Sequence, residues 1–100
     1  MSNGQAPMAS EIIVSLGNDL RISRAAEIFD KLMAAADSSR TIIIDGGDVG
    51  KIDAAGLQAV TAAIMRFRIA GLQWRWHNEP LSLRSAAKML GLTDVLGLPS

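Results

Sequence analysis

Residues 41–58 read TIIIDGGDVGKIDAAGLQ, and the two halves of this stretch decide the fold. Thr41-Ile42-Ile43-Ile44 shows no polar alternation, the pattern of a strand covered on both faces in a parallel sheet. It is the expected central strand. Asp45-Gly46-Gly47-Asp48 ends it with residues suited to tight turns. After Lys51-Ile52-Asp53, the segment Ala55 to Ala70 carries Leu57, Val60, Thr61, Ile64 and Phe67 on one helical face. Arg66 and Arg68 sit near its carboxyl end, where the helix dipole favours cations, and Gly71 stands where a C′ residue belongs. A buried strand followed directly by a strong helix is an α/β unit.

Working outward toward the amino end, Ile12, Ile13, Val14 and Leu16 form a β-branched run closed by Gly17-Asn18-Asp19. Leu20-Arg21-Ile22 is then expected to pair back on it as a hairpin. Ser23 reads as an N-cap, with Ile22, Ala26, Phe29, Leu32/Met33 and Ala36 at helical spacing up to Asp37-Ser38-Ser39. On the other side, Leu72, Trp74 and Trp76 alternate with Gln73, Arg75 and His77, predicting a strand with one large apolar face. Asn78-Glu79-Pro80 closes it, and Ser82 is placed to cap a helix from Leu83 to Leu90. Leu83, Ala86/Ala87 and Leu90 are expected to point inward, Gly91-Leu92 to make a Schellman-type stop, and Thr93 to Leu96 to add a short helix. The expected fold is therefore α/β: a mixed four- to five-stranded sheet with three to four helices in one domain over residues 11–100. Residues 1–10, MSNGQAPMAS, are small and polar without periodicity and are expected to be a flexible segment. The expected core unites Ile43, Leu57, Val60, Ile64, Trp74 and Leu90.

Composition excludes much. With 100 residues, 49% hydrophobic and 20% charged, the chain is large enough for one packed core. Ten Lys plus Arg balance ten Asp plus Glu, so no surplus is available to release phosphate counterions, and nucleic acid is not an expected partner. Apolar runs are too short to cross a bilayer and no secretory leader opens the chain, so membrane insertion is not expected and a cytoplasmic location is. There is no Cys and a single His, which removes thiolate nucleophiles, disulfides and His-rich metal clusters. An enzyme is not expected, and neither metal nor cofactor.

Each remaining motif has a structural reading beside its functional one. Gly46-Gly47-Asp48-Val49-Gly50-Lys51 invites comparison with a phosphate loop. The required first glycine falls on Asp45, and Ile52 stands where Ser or Thr would hold magnesium; a tight strand-to-helix loop is the better reading. Asp45, Asp48 and Asp53 together suggest a cation site, yet such residues more often form turns and caps. His77 has no sequence-adjacent Asp or Ser with which to build a triad. Trp74 and Trp76 read as core rather than as a stacking platform, and Arg66 with Arg68 as dipole complement and solvated face. Ile52-Asp53-Ala54-Ala55-Gly56-Leu57-Gln58 is different in kind. It sets a carboxylate, two minimal side chains and a glycine at the start of the strongest helix, where backbone amides point outward. Close approach by a partner and simple capping with tight packing both explain it.

This arrangement resembles a known family. Asp45 after a hydrophobic strand, the short loop to Ile52-Asp53-x-x-Gly56-Leu57, the flanking elements, and Leu83...Ala87...Leu90-Gly91-Leu92 are similar to the STAS domain of sulphate transporters and bacterial anti-sigma-factor antagonists. The likeness spans residues 11–98. Trp74 to Leu92 is also similar to the small STAS subunit of the bacterial lipid-asymmetry ABC transporter and to stand-alone STAS proteins of chemotaxis clusters. The resemblance implies a regulatory module that binds an anti-sigma-factor kinase or a signalling scaffold; the alternative is an accessory subunit docking on the ATPase of an ABC-type lipid transporter. It further implies that antagonists are switched by phosphorylation of a Ser or Thr immediately before the motif glycine, a position held here by Ala55, with Ala54 before it. The switch is degenerate. What the resemblance carries over is a partner surface of Asp53, Ala54, Ala55, Gly56 and Gln58 with Asp48 and Lys51 of the neighbouring loop. The oligomeric state is left open.

Overall fold

A computed structural model describes residues 10–99; residues 1–9 of the segment expected to be flexible lie outside the described residues. The elements run β1 (Glu11–Ser15), β2 (Asp19–Leu20), α1 (Ile22–Ala36), β3 (Thr41–Asp45), β4 (Lys51–Ile52), α2 (Ala54–Ile69), β5 (Trp74–His77), α3 (Leu81–Met89) and α4 (Thr93–Leu96). The described residues form an α/β domain with five strands and four helices, and β3 is central as its sequence demands, in a sheet of order β1-β3-β5. Both its neighbours are parallel, with Ile12, Ile42 and Trp74 in one row and Val14, Ile44 and Trp76 in the next row on that face. That face takes the helices. Val14, Ile42 and Ile44 join Ile28 and Leu32 of α1 and Leu57, Val60, Ile64 and Phe67 of α2 in one core. On the opposite face Arg75 reaches Glu11 at 2.9 Å, an ion pair that spans the central strand.

The opening hairpin does not form. β1 pairs with β3, and β2 pairs with β4 as a separate parallel pair. Leu16 and Leu20 are 1% and 0% exposed, so the chain must carry both into the core. Gly17, at φ +72°, turns it away from β1. Asn18 then accepts hydrogen bonds from the Gly50 and Lys51 amides through its carbonyl, which fastens this turn to the start of β4.

α1 departs from expectation in its cap and in the rotation of its apolar stripe. It begins at Ile22, one residue before Ser23, and no side chain of its N-cap Arg21 bonds to it. Its buried residues are Ile28, Leu32 and Ala35, while Phe29, Met33 and Ala36 are half-buried and Ile22 and Ala26 are exposed. Two helical stripes overlap in this sequence, and the one bearing the branched aliphatics Ile28 and Leu32 faces the core. α2 matches its expected face, and the buried Thr61 hydroxyl is satisfied by donating to the Leu57 carbonyl at 3.0 Å. Gly71 ends it at φ +70°, with Leu72 N bonded to Phe67 O.

At the carboxyl end, α3 starts at Leu81 after Pro80, and Ser82 is not its cap. The Ser82 hydroxyl instead donates to the Val49 carbonyl at 3.1 Å, tying α3 to the β3–β4 loop. Gly91 and Leu92 form the expected stop, with Leu92 N bonded to Ala87 O at 2.8 Å. Leu90 is the C-cap and 44% exposed, so it leaves the expected core set; Leu83, Ala87, Leu96 and Leu98 are the buried residues of this region. Leu57, Val60 and Ile64 are buried in the core as expected. Ile43, though buried, lies on the other face of the sheet in the row of Ile13 and Arg75 and is not part of that cluster, because strand residues alternate between faces. Trp74 and Trp76 only lean on the core, half-buried. The Trp76 indole N–H donates to Leu96 O at 2.7 Å, and the Arg68 guanidinium lies 5.2 Å from the Trp74 ring.

Candidate functional site

Asp53 leaves β4 in extended conformation and opens α2. One carboxylate oxygen accepts from the Gly56 amide at 2.8 Å and the other from the Ile22 amide at 2.9 Å. A single side chain therefore caps both α2 and α1. The hydrogen bonds from Gly56 and then Ile22 hold this carboxyl below the usual carboxylate range; burial opposes them, and the Arg21 charge and the Ala55 amide assist. The helix start is not an open anion site, because the carboxylate already occupies its amides.

Gly56 has an equally direct cause. A Cβ there would overlap the Leu20 carbonyl and stand 2.9 Å from Arg21 N. The main chain of β2 crosses the first turn of α2 at a distance only glycine permits. Two members of the suspected partner surface, Asp53 and Gly56, are thus engaged in holding β2, α1 and α2 together. The others face outward: Ala54 and Gln58 are exposed on α2, Ala55 is half-buried, and Asp48 and Lys51 are exposed on the loop and on β4.

The other candidates resolve into structure. Asp45 accepts from the Gly47 amide at 2.9 Å as a turn former. Among the described residues no group of three or more His, Cys, Asp or Glu side chains is placed to hold a metal. Gly46 is packed against Leu83 and the Asn78 carbonyl, and its own carbonyl accepts from Val49 N, so the glycine-rich stretch is a tight turn. Ser15, Asp45 and His77 fall in one row across the sheet. Asp lies between Ser and His in that row, where a nucleophilic triad needs His in the middle.

A feature beyond the sequence reading lies along α2. Its outward side runs Ala54, Gln58, Ala62, Met65, Ile69, with Met65 48% and Ile69 85% exposed. Arg66 is the exposed charge beside this stripe, its guanidinium 5.7 Å from the Phe29 ring. Between the carboxyl-terminal halves of α1 and α2 lies a groove of about 670 Å³, walled by Met33, Ala36, Met65, Ile69 and Leu72. At the other end, Ile22 is 71% exposed, directly beside the Asp53 cap. The signal was available: residues 54–78 contain no acidic residue at all, and a helix whose solvent side carries charge only at its carboxyl end is not designed for water alone.

A parallel sheet faced by two helices, with an Asp-x-x-Gly-Leu turn locking the second helix to a neighbouring strand, is the architecture of a STAS domain. The chain belongs to that family: the family model described as "Mlab, STAS domain" matches residues 5–98. In structure it is similar to a sulfate transporter family protein from Wolinella succinogenes, with a TM-score of 0.77 at 16% identity over 93% of this chain and 76% of that one. It is similar to part of the murine anion transporter Slc26a9, with a TM-score of 0.75 at 19% identity over 89% of this chain and 15% of that one. The protein TM1081 gives a TM-score of 0.74 at 12% identity, over 95% of this chain and 78% of that one. No curated protein matches the sequence.

Proposed function

We propose that the chain is a non-enzymatic STAS regulatory module, cytoplasmic, that binds a partner protein through the start and outward face of α2. The observation that carries this reading is the uncharged stripe from Ala54 to Ile69, flanked by the exposed Ile22. Exposed apolar surface of this continuity marks an interaction site more often than a solvated one. The partner surface comprises Ala54, Ala55 and Gln58, with Asp48 and Lys51 at its margin, while Asp53 and Gly56 fix its shape. A kinase of the anti-sigma-factor type or a signalling scaffold fits this role. The second reading, docking on the ATPase of an ABC-type lipid transporter, is favoured by the Mlab-type family match taken with the resemblance of Trp74 to Leu92.

Affinity capture with wild type, Ala55→Glu and Ile69→Glu tests the surface. A glutamate at position 55 lies in the first turn of α2, where the dipole favours it by about 0.3 to 1 kcal/mol, so folding is preserved; in a closed interface the same charge is desolvated without a counter-ion. The expected result is a protein retained by wild type and lost from both variants, whose melts stay normal. The identity of that protein separates an ATPase from a signalling partner. Equal capture by all three forms removes α2 from the interface, and collapse of the Ala55→Glu melt returns the motif to packing alone.

A further inference from the structure

Among the described residues β5 is an outer strand of its sheet and pairs with β3 alone. Ile42 N bonds to Gln73 O and Gly46 N to His77 O. The main chain of Gln73, Arg75 and His77 therefore faces β3, and that of Trp74 and Trp76 faces away from it. Among the described residues nothing bonds to the main-chain N–H or C=O of either tryptophan. A hollow of about 540 Å³ runs along this edge. Trp74 and Trp76, from the helix-bearing face, line it together with Arg75, from the opposite face, and Gly97, Leu98 and Pro99 form its wall. Sheet edges are commonly closed by Lys, Pro or a bulge. β5 carries none of these, and its arginine is drawn back across β3 to Glu11 at 2.9 Å.

We propose that this edge pairs antiparallel with β5 of a second copy of the chain, continuing the sheet across a two-fold axis. N–H and C=O groups presented by alternate residues match an extended main chain rather than a small ligand. The edge is complementary to itself in one register, and this commits it to a second copy. Centred on Arg75, that register sets Trp74 opposite Trp76 of the second copy and Trp76 opposite its Trp74, both as hydrogen-bonded pairs, so every outward group of both strands is satisfied. Sliding by two residues brings in either Leu72, whose N–H is committed to Phe67 O, or Asn78, which leaves the strand at φ +60°. The same register makes two cross-strand aromatic pairs, and being isologous it closes as a dimer. Its one unfavourable contact is Arg75 against itself across the axis, relieved by Glu11. The surface shares no residue with the groove between α1 and α2, so the inference stands apart from the partner-binding reading.

Sedimentation velocity over a concentration series, with amide hydrogen exchange at each concentration, tests the proposal on the full chain. The expected result is a reversible monomer–dimer equilibrium, weak because the contact is short, with exchange of the Trp74 and Trp76 amides slowing as the dimer fills. The Arg75 side chain is 57% exposed, so Arg75→Glu leaves the core untouched. Mixed in equal amounts with wild type, it should give a heterodimer about fivefold above its statistical share, because position 75 faces itself in this register. Four results would overturn the proposal. They are a monomer up to millimolar concentration, a dimer that protects the α2 amides and leaves those of Trp74 and Trp76 unchanged, and statistical mixing with Arg75→Glu. The fourth is protection of the two tryptophan amides only when a different protein is added, which would assign the edge to an extended segment of that protein.

Discussion

Gly56→Ala separates packing from helix propensity by the sign of its effect. Gly56 is the third residue of α2, and within a helix Ala is favoured over Gly by about 1 kcal/mol. Propensity alone thus expects a more stable protein. The contacts of Gly56 require the reverse, because the added methyl overlaps the Leu20 carbonyl and approaches Arg21 N to 2.9 Å. Both obstacles are main chain, with no rotamer to swing aside. Forcing a methyl into a filled site costs about 1 to 3 kcal/mol, and a backbone obstacle places this one near 3. Displacing β2 also breaks the bond from Asp53 N to Leu20 O, worth about 1 kcal/mol. Subtracting the propensity gain of about 1 leaves a net loss of about 3 kcal/mol. For a domain of this size that is a fall in Tm of about 12 to 24 °C. Thermal melting followed by circular dichroism, with urea unfolding to check that the slope is unchanged, measures it. An equal or higher Tm for Gly56→Ala would refute the close crossing of β2 over α2, and with it the structural explanation of the motif.

Asp53→Asn should lower the melt at neutral pH and flatten the acid limb of the stability curve. The folded carboxyl lies below its ordinary value of 3.8, so its contribution is present above that pH and is lost as pH falls through the lower folded value; an acid limb identical to wild type would contradict the double cap. Ile64→Asp should abolish cooperative unfolding, since Ile64 is 0% exposed and an unpaired charge there is desolvated at large cost; a normal melt would show that the face of α2 is misassigned. Incubation with ATP and the cognate kinase should place no phosphate between Asp53 and Gln58, where no hydroxyl exists, and peptide mass spectrometry checks this. A stable phosphate on Thr61, Ser82 or Ser85 would move the switch elsewhere. Affinity for the protein partner should change less than about threefold as salt rises from 0.1 to 1 M, because the α2 stripe offers little charge to screen; a steep loss would shift the interface toward Asp48, Lys51 or the arginines.

The elements legible in the sequence are those whose evidence is local. β3 declared itself by three consecutive isoleucines, and α2 by a single unambiguous stripe ending in Gly71. What escaped depends on contacts distant in sequence. Gly17-Asn18-Asp19 correctly marks where the chain turns, yet the partner of the next strand is β4, some thirty residues on, reached because Leu20 must be buried. The cap of α1 could not be read from Ser23, since its acceptor is Asp53, 31 residues away. The stripe of α1 was ambiguous because Phe29-Met33-Ala36 and Ile28-Leu32-Ala35 have the same spacing, and only the packed sheet chooses between them. Leu90 has helical spacing with Leu83 and Ala87, but the helix ends one residue earlier and turns it outward.

The motif itself shows why site residues are harder to read than folds. Asp-x-x-Gly-Leu combines the residue types of a binding loop, a carboxylate beside small side chains at a helix start. The geometry assigns the carboxylate to two backbone amides and the glycine to a crossing strand, so the residues most distinctive in sequence are those least available to a partner. The positions left facing outward are Ala54, Gln58, Ala62, Met65 and Ile69, which no motif singles out. In a helix that carries no acid and only two arginines, their lack of polarity is the informative feature. On the proposed reading, specificity then rests on the shape of that stripe and on the groove beside Met33 and Met65. With alanine at both positions between the cap and the glycine, occupancy of such a surface is set by the partner's concentration and state, since the surface has no hydroxyl through which its own start could be charged.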